Sequence, residues 1–159
     1  QADEAGLGWS GIGQYTDLSN PMHMAILMGA IANGGQPVMP YYISEVTSPL
    51  GIATHTGKGK NGDRLMTEGT ANALGDIMRY TVKNHYGDDL FPGLTVCAKT
   101  GTGEVGEGKQ PNGWMVGYTT DEDCPLAFAV IVENGGFGIS SAGPVAEAVL
   151  QEAAKSIRG

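Results

Sequence analysis

The sequence predicts an α+β fold, an antiparallel sheet flanked by helices. Two helix-period apolar stripes come first, three strand-like segments then follow too closely for crossover helices, and a third helical stripe closes the chain. The 159 residues suit one domain or part of one, and no internal repeat or low-complexity tract interrupts them.

The first clear element is predicted to start at Asn20, a good N-cap, with Pro21 in the first helical position. Met24, Leu27, Met28 and Ile31 give it an apolar side, and Asn33-Gly34-Gly35 ends it. Residues 38–47 are β-rich, whereas 48–63 hold four glycines and few large apolar groups, the composition of a short exposed hairpin or loop. No chemistry is assigned there. A second helix is expected after Thr67, with Ala71, Leu74, Met78 and Val82 on one face and Gly87 just past its end.

Residues 88–93 turn the chain into strand-like segments 94–100, 114–119 and 126–133, which read most simply as an antiparallel meander. The last is apolar at every position from Leu126 to Val132, which predicts helices over both faces and a place inside the sheet. Ser140 or Ser141 then caps a helix with Pro144 in its first turn. Its stripe of Ala146, Val149, Leu150, Ala153 and Ile157 is expected to pack on the sheet.

Composition narrows the function. With 41% apolar and 16% charged residues, the chain can bury a core. Nine Lys and Arg against seventeen Asp and Glu leave a formal charge of −8, a field that repels phosphate backbones and anionic lipid, so no nucleic acid partner is expected. No apolar run approaches the roughly 20 residues that span a bilayer, and residues 1–15 lack the regions of a signal peptide. Cys97 and Cys124 have no C-x-x-C spacing and are expected to be buried free thiols rather than metal ligands or a disulfide. His23, His55 and His85 lie in a helix, a loop and a helix end with no pattern joining them. No metal or cofactor is predicted.

The informative segment is 96–109. Gly101-x-Gly103-x-x-Gly106 formally satisfies a dinucleotide fingerprint, but that mechanism needs a helix N-terminus behind the glycines, and 107–113 have the composition of a loop. Residues 103–109 come within one residue of a phosphate-binding loop, yet Gln110 replaces the hydroxyl that would meet magnesium. A plainer reading makes the glycines a flexible hairpin loop with Lys99 solvated at its base. In the remaining reading, Lys99-Thr100-Gly101-Thr102 sets a cation, two hydroxyls and a bare backbone at a strand end, a group that can hold a carboxylate.

That tetrad resembles the third signature of the penicillin-binding protein and serine β-lactamase superfamily. Gly11-Ile12-Gly13-Gln14, Asn20-Pro21-Met22-His23-Met24-Ala25 and Ala30-Ile31-Ala32-Asn33-Gly34-Gly35 are similar to the stretch between that family's second and third motifs. Gly113-Trp114-Met115-Val116-Gly117-Tyr118 and the run Ala127 to Asn134 resemble its next two strands. The similarity covers nearly the whole chain and is nearest to class B-type transpeptidases; 48–93 match in outline. Neither the family's Ser-x-x-Lys nor its Ser-x-Asn occurs in the 159 residues, and Tyr15 stands where many relatives place glycine.

The resemblance implies the C-terminal portion of a β-lactamase/transpeptidase-like fold, cut upstream of Gln1 and inactive alone. The parent is expected at the outer face of the cytoplasmic membrane, anchored by an N-terminal segment, with the chain itself soluble. In that parent a serine opens a D-Ala-D-Ala stem peptide and passes the acyl group to an amine, and β-lactams acylate the same serine. Lys99 and Thr102 are implied as catalytic, the former by charge and the latter through its backbone N–H in the oxyanion hole. Thr100, Gly101 and Thr102 are implied to bind substrate, with the peptide pairing as an added strand. Trp114 is expected in the core and Glu104 in solvent. The family strand that pairs with 126–132 has no counterpart here, so an open edge and self-association are expected. A D,D-carboxypeptidase or β-lactamase relative, a β-lactam sensor and a nucleotide-binding module are the alternatives.

Overall fold

A computed structural model describes residues 4–14 and 17–159; Tyr15 lies outside them. The core is a three-stranded antiparallel sheet of β5 (Val96–Gly103), β6 (Asn112–Thr119) and β7 (Ala127–Val132), in the order β5-β6-β7. These are the three segments of the predicted meander. Helix α2 (Pro21–Ala32) packs on β6 and β7 and α3 (Glu68–Thr81) on β5, while α4 (Gly138–Arg158) covers the other face. Two apolar cores result. Val82, Phe91, Val96, Ala98, Met115 and Leu150 lie on the α4 side, and Met28, Ile31, Met78, Cys97, Val116 and Tyr118 on the α2 and α3 side.

The local signals for α2 and α3 act as expected. The Asn20 side chain accepts the Met22 N–H at 2.8 Å, and Thr67 Oγ1 accepts the Thr70 N–H at 3.2 Å. Gly35 must be glycine: its φ is 93°, and a Cβ would lie 2.1 Å from the Met66 carbonyl oxygen. Beyond α3 the chain makes a wide π-turn at Val82–Tyr86, ended by Gly87 at φ 90°. Between α2 and α3, β1 (Val38–Met39) pairs with β4 (Lys60–Asn61) and β2 (Glu45–Thr47) with β3 (Ala53–Thr56), making an exposed arm. Cys97 and Cys124 are buried free thiols.

Four expectations need correction. A helix α1 (Glu4–Ser10) precedes the first predicted element; its two glycines and exposed Leu7 and Trp9 leave no apolar stripe to read. Helix α4 starts after Phe137, which has no side-chain cap, and Ser140 and Ser141 lie inside it with their hydroxyls donating to the Phe137 carbonyl. Packing sets that start, because a Cβ at Gly138 would come 2.4 Å from the Trp114 oxygen and 2.5 Å from that of Gly101. Pro144 is therefore interior to the helix, tolerated on its exposed side. The buried face of α4 runs through Ala142, Ala146, Leu150 and Ala154, which leaves Val149 and Ile157 exposed.

Finally, β7 is covered by helices on both faces but is an edge strand. It pairs with β6 on one side, and no described strand lies on the other. Its apolar character matches the two helix layers, and its unpaired side is the open edge expected where the family's pairing strand has no counterpart among the described residues. Among the described residues, no helix is long and apolar enough to cross a membrane.

Candidate active site

Lys99, Thr100, Gly101 and Thr102 all fall on β5 and line one cleft of about 470 Å³, closed on other sides by Gln14, Leu18, Met24 and Trp114. The alternation of the strand puts Lys99 and Gly101 on the α2 side and Thr100 and Thr102 on the α4 side. Gly101 pairs across the ladder with Trp114. A Cβ at Gly101 would meet nothing nearer than the Trp114 Cβ at 3.5 Å, an ordinary contact. The fold does not require that glycine; the cleft is what a side chain there would fill.

Hydrogen-bond parity defines the free edge of β5. In an antiparallel strand, a residue's N–H and C=O point to the same side and successive residues alternate. The Thr100 N–H meets Tyr86 Oη at 2.9 Å and the Thr102 oxygen accepts from Gln14 Nε2 at 2.8 Å, so residues 100 and 102 face away from β6. Side chains fill most of this edge. Lys99 Nζ donates to the Thr100 oxygen at 2.6 Å, and the Glu104 N–H makes a long 3.4 Å contact with Gln14 Oε1. Between Thr100 and Glu104, the Thr102 N–H is left with no partner among the described residues. An outward backbone donor beside a lysine is what a developing oxyanion needs.

The charge pattern agrees. Lys99 makes no ion pair among the described residues, where the pairs are Arg79–Asp88, Lys155–Glu152 and Arg158–Asp123. Asp17, the acidic group lining the cleft, accepts the Ser10 hydroxyl at 2.6 Å. Lys99 is thus available to an incoming carboxylate while resting on its neighbour's carbonyl, rather than simply solvated at a loop base.

Trp114 is half-buried: it packs against the α2-side core, as expected, and also walls the cleft. Glu104 is exposed, as are His23, His55 and His85, none of which lines the cleft. Behind Gly103 the chain turns through Gly106 and Gly108, at φ 108° and 73°, directly into β6. Both nucleotide readings therefore lack the helix N-terminus on which they depend.

Sequence reasoning missed two residues. Tyr86, on the π-turn, also shares a 2.9 Å hydrogen bond with Thr100 Oγ1. Gln14 was visible within Gly-Ile-Gly-Gln, but nothing in that pattern told of its reach to Thr102.

A family model described as the penicillin binding protein transpeptidase domain matches residues 4–151. The peptidoglycan D,D-transpeptidase PbpA of Mycobacterium tuberculosis is 30% identical over 159 residues, covering 95% of this chain and 32% of that protein. The chain thus spans about a third of the length of the PbpA relatives it matches. Penicillin-binding protein A of M. tuberculosis as a ceftriaxone acyl-enzyme complex superposes with a TM-score of 0.83 at 30% identity, covering 96% of this chain and 36% of that one. Its imipenem acyl-enzyme complex has the same TM-score and identity, with coverage of 96% and 34%.

Proposed function

The chain belongs to the penicillin-binding protein transpeptidase family, and we propose that it forms the acyl-donor wall of a serine D,D-transpeptidase that cross-links peptidoglycan. The observation that carries this reading is the unfilled Thr102 N–H on the β5 edge, in one cleft with Lys99 and the bare backbone of Gly101.

The D-Ala-D-Ala end of a stem peptide lies along β5. Its terminal carboxylate lies at the free edge of the strand, reached by Lys99 from the α2 side and by the Thr100 and Thr102 hydroxyls from the α4 side. Its penultimate carbonyl oxygen sits on the Thr102 N–H, where one oxyanion-hole donor is worth about 2.7–4 kcal/mol. A serine hydroxyl, supplied by a segment carrying Ser-x-x-Lys, loses its proton and attacks that carbonyl; the C–N bond breaks and D-Ala leaves as the amine. An amine of a second stem peptide then displaces the serine, forming the cross-link and returning the hydroxyl proton. β-Lactams acylate the same serine, a reading supported by the ceftriaxone and imipenem acyl-enzymes of the 30%-identical relative. Residues 1–159 contain no Ser-x-x-Lys or Ser-x-Asn, so the chain alone is expected to be inactive. Cross-linking of this kind belongs to the outer face of the cytoplasmic membrane.

The test is acylation by a fluorescent penicillin in a protein that joins this chain to its nucleophile segment. Lys99→Ala is expected to slow acylation roughly 10- to 100-fold, the loss of one charge-assisted hydrogen bond. Undiminished labelling of that variant would sink the role given to Lys99. Slow release of the label separates a transpeptidase from a β-lactamase.

A further inference from the structure

The Gln14 carboxamide sits where an incoming peptide has to bind. Its Nε2 donates to the Thr102 oxygen at 2.8 Å and its Oε1 faces the Glu104 N–H at 3.4 Å, so one side-chain amide imitates a backbone amide on the free edge of β5. The two contacts fix its orientation, since the carbonyl needs a donor and the N–H an acceptor. Gln14 is half-buried, lines the cleft, and is held by its own N–H on the Trp9 oxygen at 3.1 Å, at the end of α1.

Strand addition on this edge has a fixed geometry. A residue whose carbonyl oxygen rests on the Thr102 N–H is directly opposite Thr102, and in an antiparallel pair such residues exchange both bonds. The N–H of the acyl donor's reacting residue must therefore reach the Thr102 oxygen, the place that Gln14 Nε2 occupies.

We propose that Gln14 is a specificity-determining residue: its carboxamide holds the acceptor place on Thr102, and an acyl donor must displace it with an amide N–H of its own. The inference rests on the transpeptidase reading above. Donors with that N–H, stem peptides and acylamino β-lactams alike, exchange one hydrogen bond for another. Donors without it gain nothing at the Thr102 oxygen and leave Gln14 in place.

The experiment uses the protein that joins this chain to its nucleophile segment, and compares acylation rate constants for benzylpenicillin, which carries the acylamino N–H, and for a hydroxyethyl carbapenem, which does not. Gln14→Leu keeps the side-chain bulk without the amide. It should raise the benzylpenicillin rate constant roughly two- to tenfold, the net worth of one neutral hydrogen bond, and leave the carbapenem's within about twofold. Gln14→Asn, which retracts the amide by one methylene, should shift the ratio in the same direction and serves if the leucine variant does not fold. An unchanged ratio overturns the proposal, whether both rate constants fall together, as for a residue that only braces the strand, or neither moves. A parent protein acylated by neither compound overturns the transpeptidase reading itself, and this inference with it.

Discussion

The phenolic oxygen of Tyr86 lies 2.9 Å from both the backbone nitrogen and Oγ1 of Thr100, so one side chain fills the strand edge at Thr100 and holds its hydroxyl. The Tyr86 ring packs against the α4-side core, so Tyr86→Phe keeps the packing and deletes only the oxygen. That variant should cost about 1 kcal/mol of stability, because the half-buried Thr100 N–H loses its partner. In the protein that joins this chain to its nucleophile segment, penicillin acylation should slow roughly threefold to tenfold as the Thr100 hydroxyl loses its orientation. Thermal unfolding and labelling rates, measured on the same preparations, check both. Unchanged labelling with lowered stability would make Tyr86 a structural residue only.

Two glycines at the site separate fold from function. At Gly138 an added Cβ would lie within 2.5 Å of two backbone oxygens, on Trp114 and Gly101, which cannot give way without moving α4 off the sheet. Gly138→Ala should therefore destabilise by about 1–3 kcal/mol. At Gly101 the same methyl has room at 3.5 Å, so Gly101→Ala should unfold at the parent's temperature. On the transpeptidase reading its penalty falls on the ligand, which is held off the strand, and acylation of the protein joined to its nucleophile segment should drop by up to roughly 100-fold. Melting curves for the two variants set beside their acylation rates test the contrast.

What was legible in the sequence was local. Asn20 and Thr67 cap from their own positions, and the alternation of β5 to β7 is written within each strand. The Lys99 to Thr102 tetrad was readable because four functional groups share one strand end. Features set by distant partners were not. The start of α4 depends on how Gly138 meets the oxygens of Gly101 and Trp114, Gln14 acts on a residue 88 positions away, and Tyr86 reaches Thr100 only because the helix widens into a π-turn. Val149 and Ile157 follow the helical period yet miss the sheet, since α4 presents its small-residue row, Ala142, Ala146 and Ala154, to the strands.

The segment carrying Tyr86 is pinned by Arg79, which pairs with Asp88 at 2.6 Å and donates to the Val96 oxygen at 3.1 Å. The Arg79 hydrogen bond, ahead of its charge, holds the Asp88 carboxyl below its usual value. Its stabilising contribution is thus complete above the ordinary carboxylate range near pH 4 and is lost as pH falls through the lowered folded value. Asp88→Asn should be less stable than the parent by no more than about 1 kcal/mol at neutral pH, since the pair is partly exposed. Urea denaturation as a function of pH should show that gap closing in acid; a gap that persists there would assign it to packing.

The free edge of β7 has a definite composition. Ladder parity from the Thr119–Leu126 pair gives residues 126, 128, 130 and 132 to β6, so Ala127, Ala129 and Ile131 turn their N–H and C=O groups outward. An apolar strand with an unpaired backbone row is a template for another strand. The chain prepared by itself is therefore expected to self-associate, with a sedimentation mass that rises above 16.5 kDa with concentration. Ala129→Pro provides the control, because it removes an outward N–H while leaving the β6 ladder intact, the position at which an edge strand tolerates proline. Association should fall in that variant while its circular dichroism spectrum is retained. A parent chain that stays monomeric at every concentration, or a proline variant that associates equally well, would rule out the β7 edge as the contact.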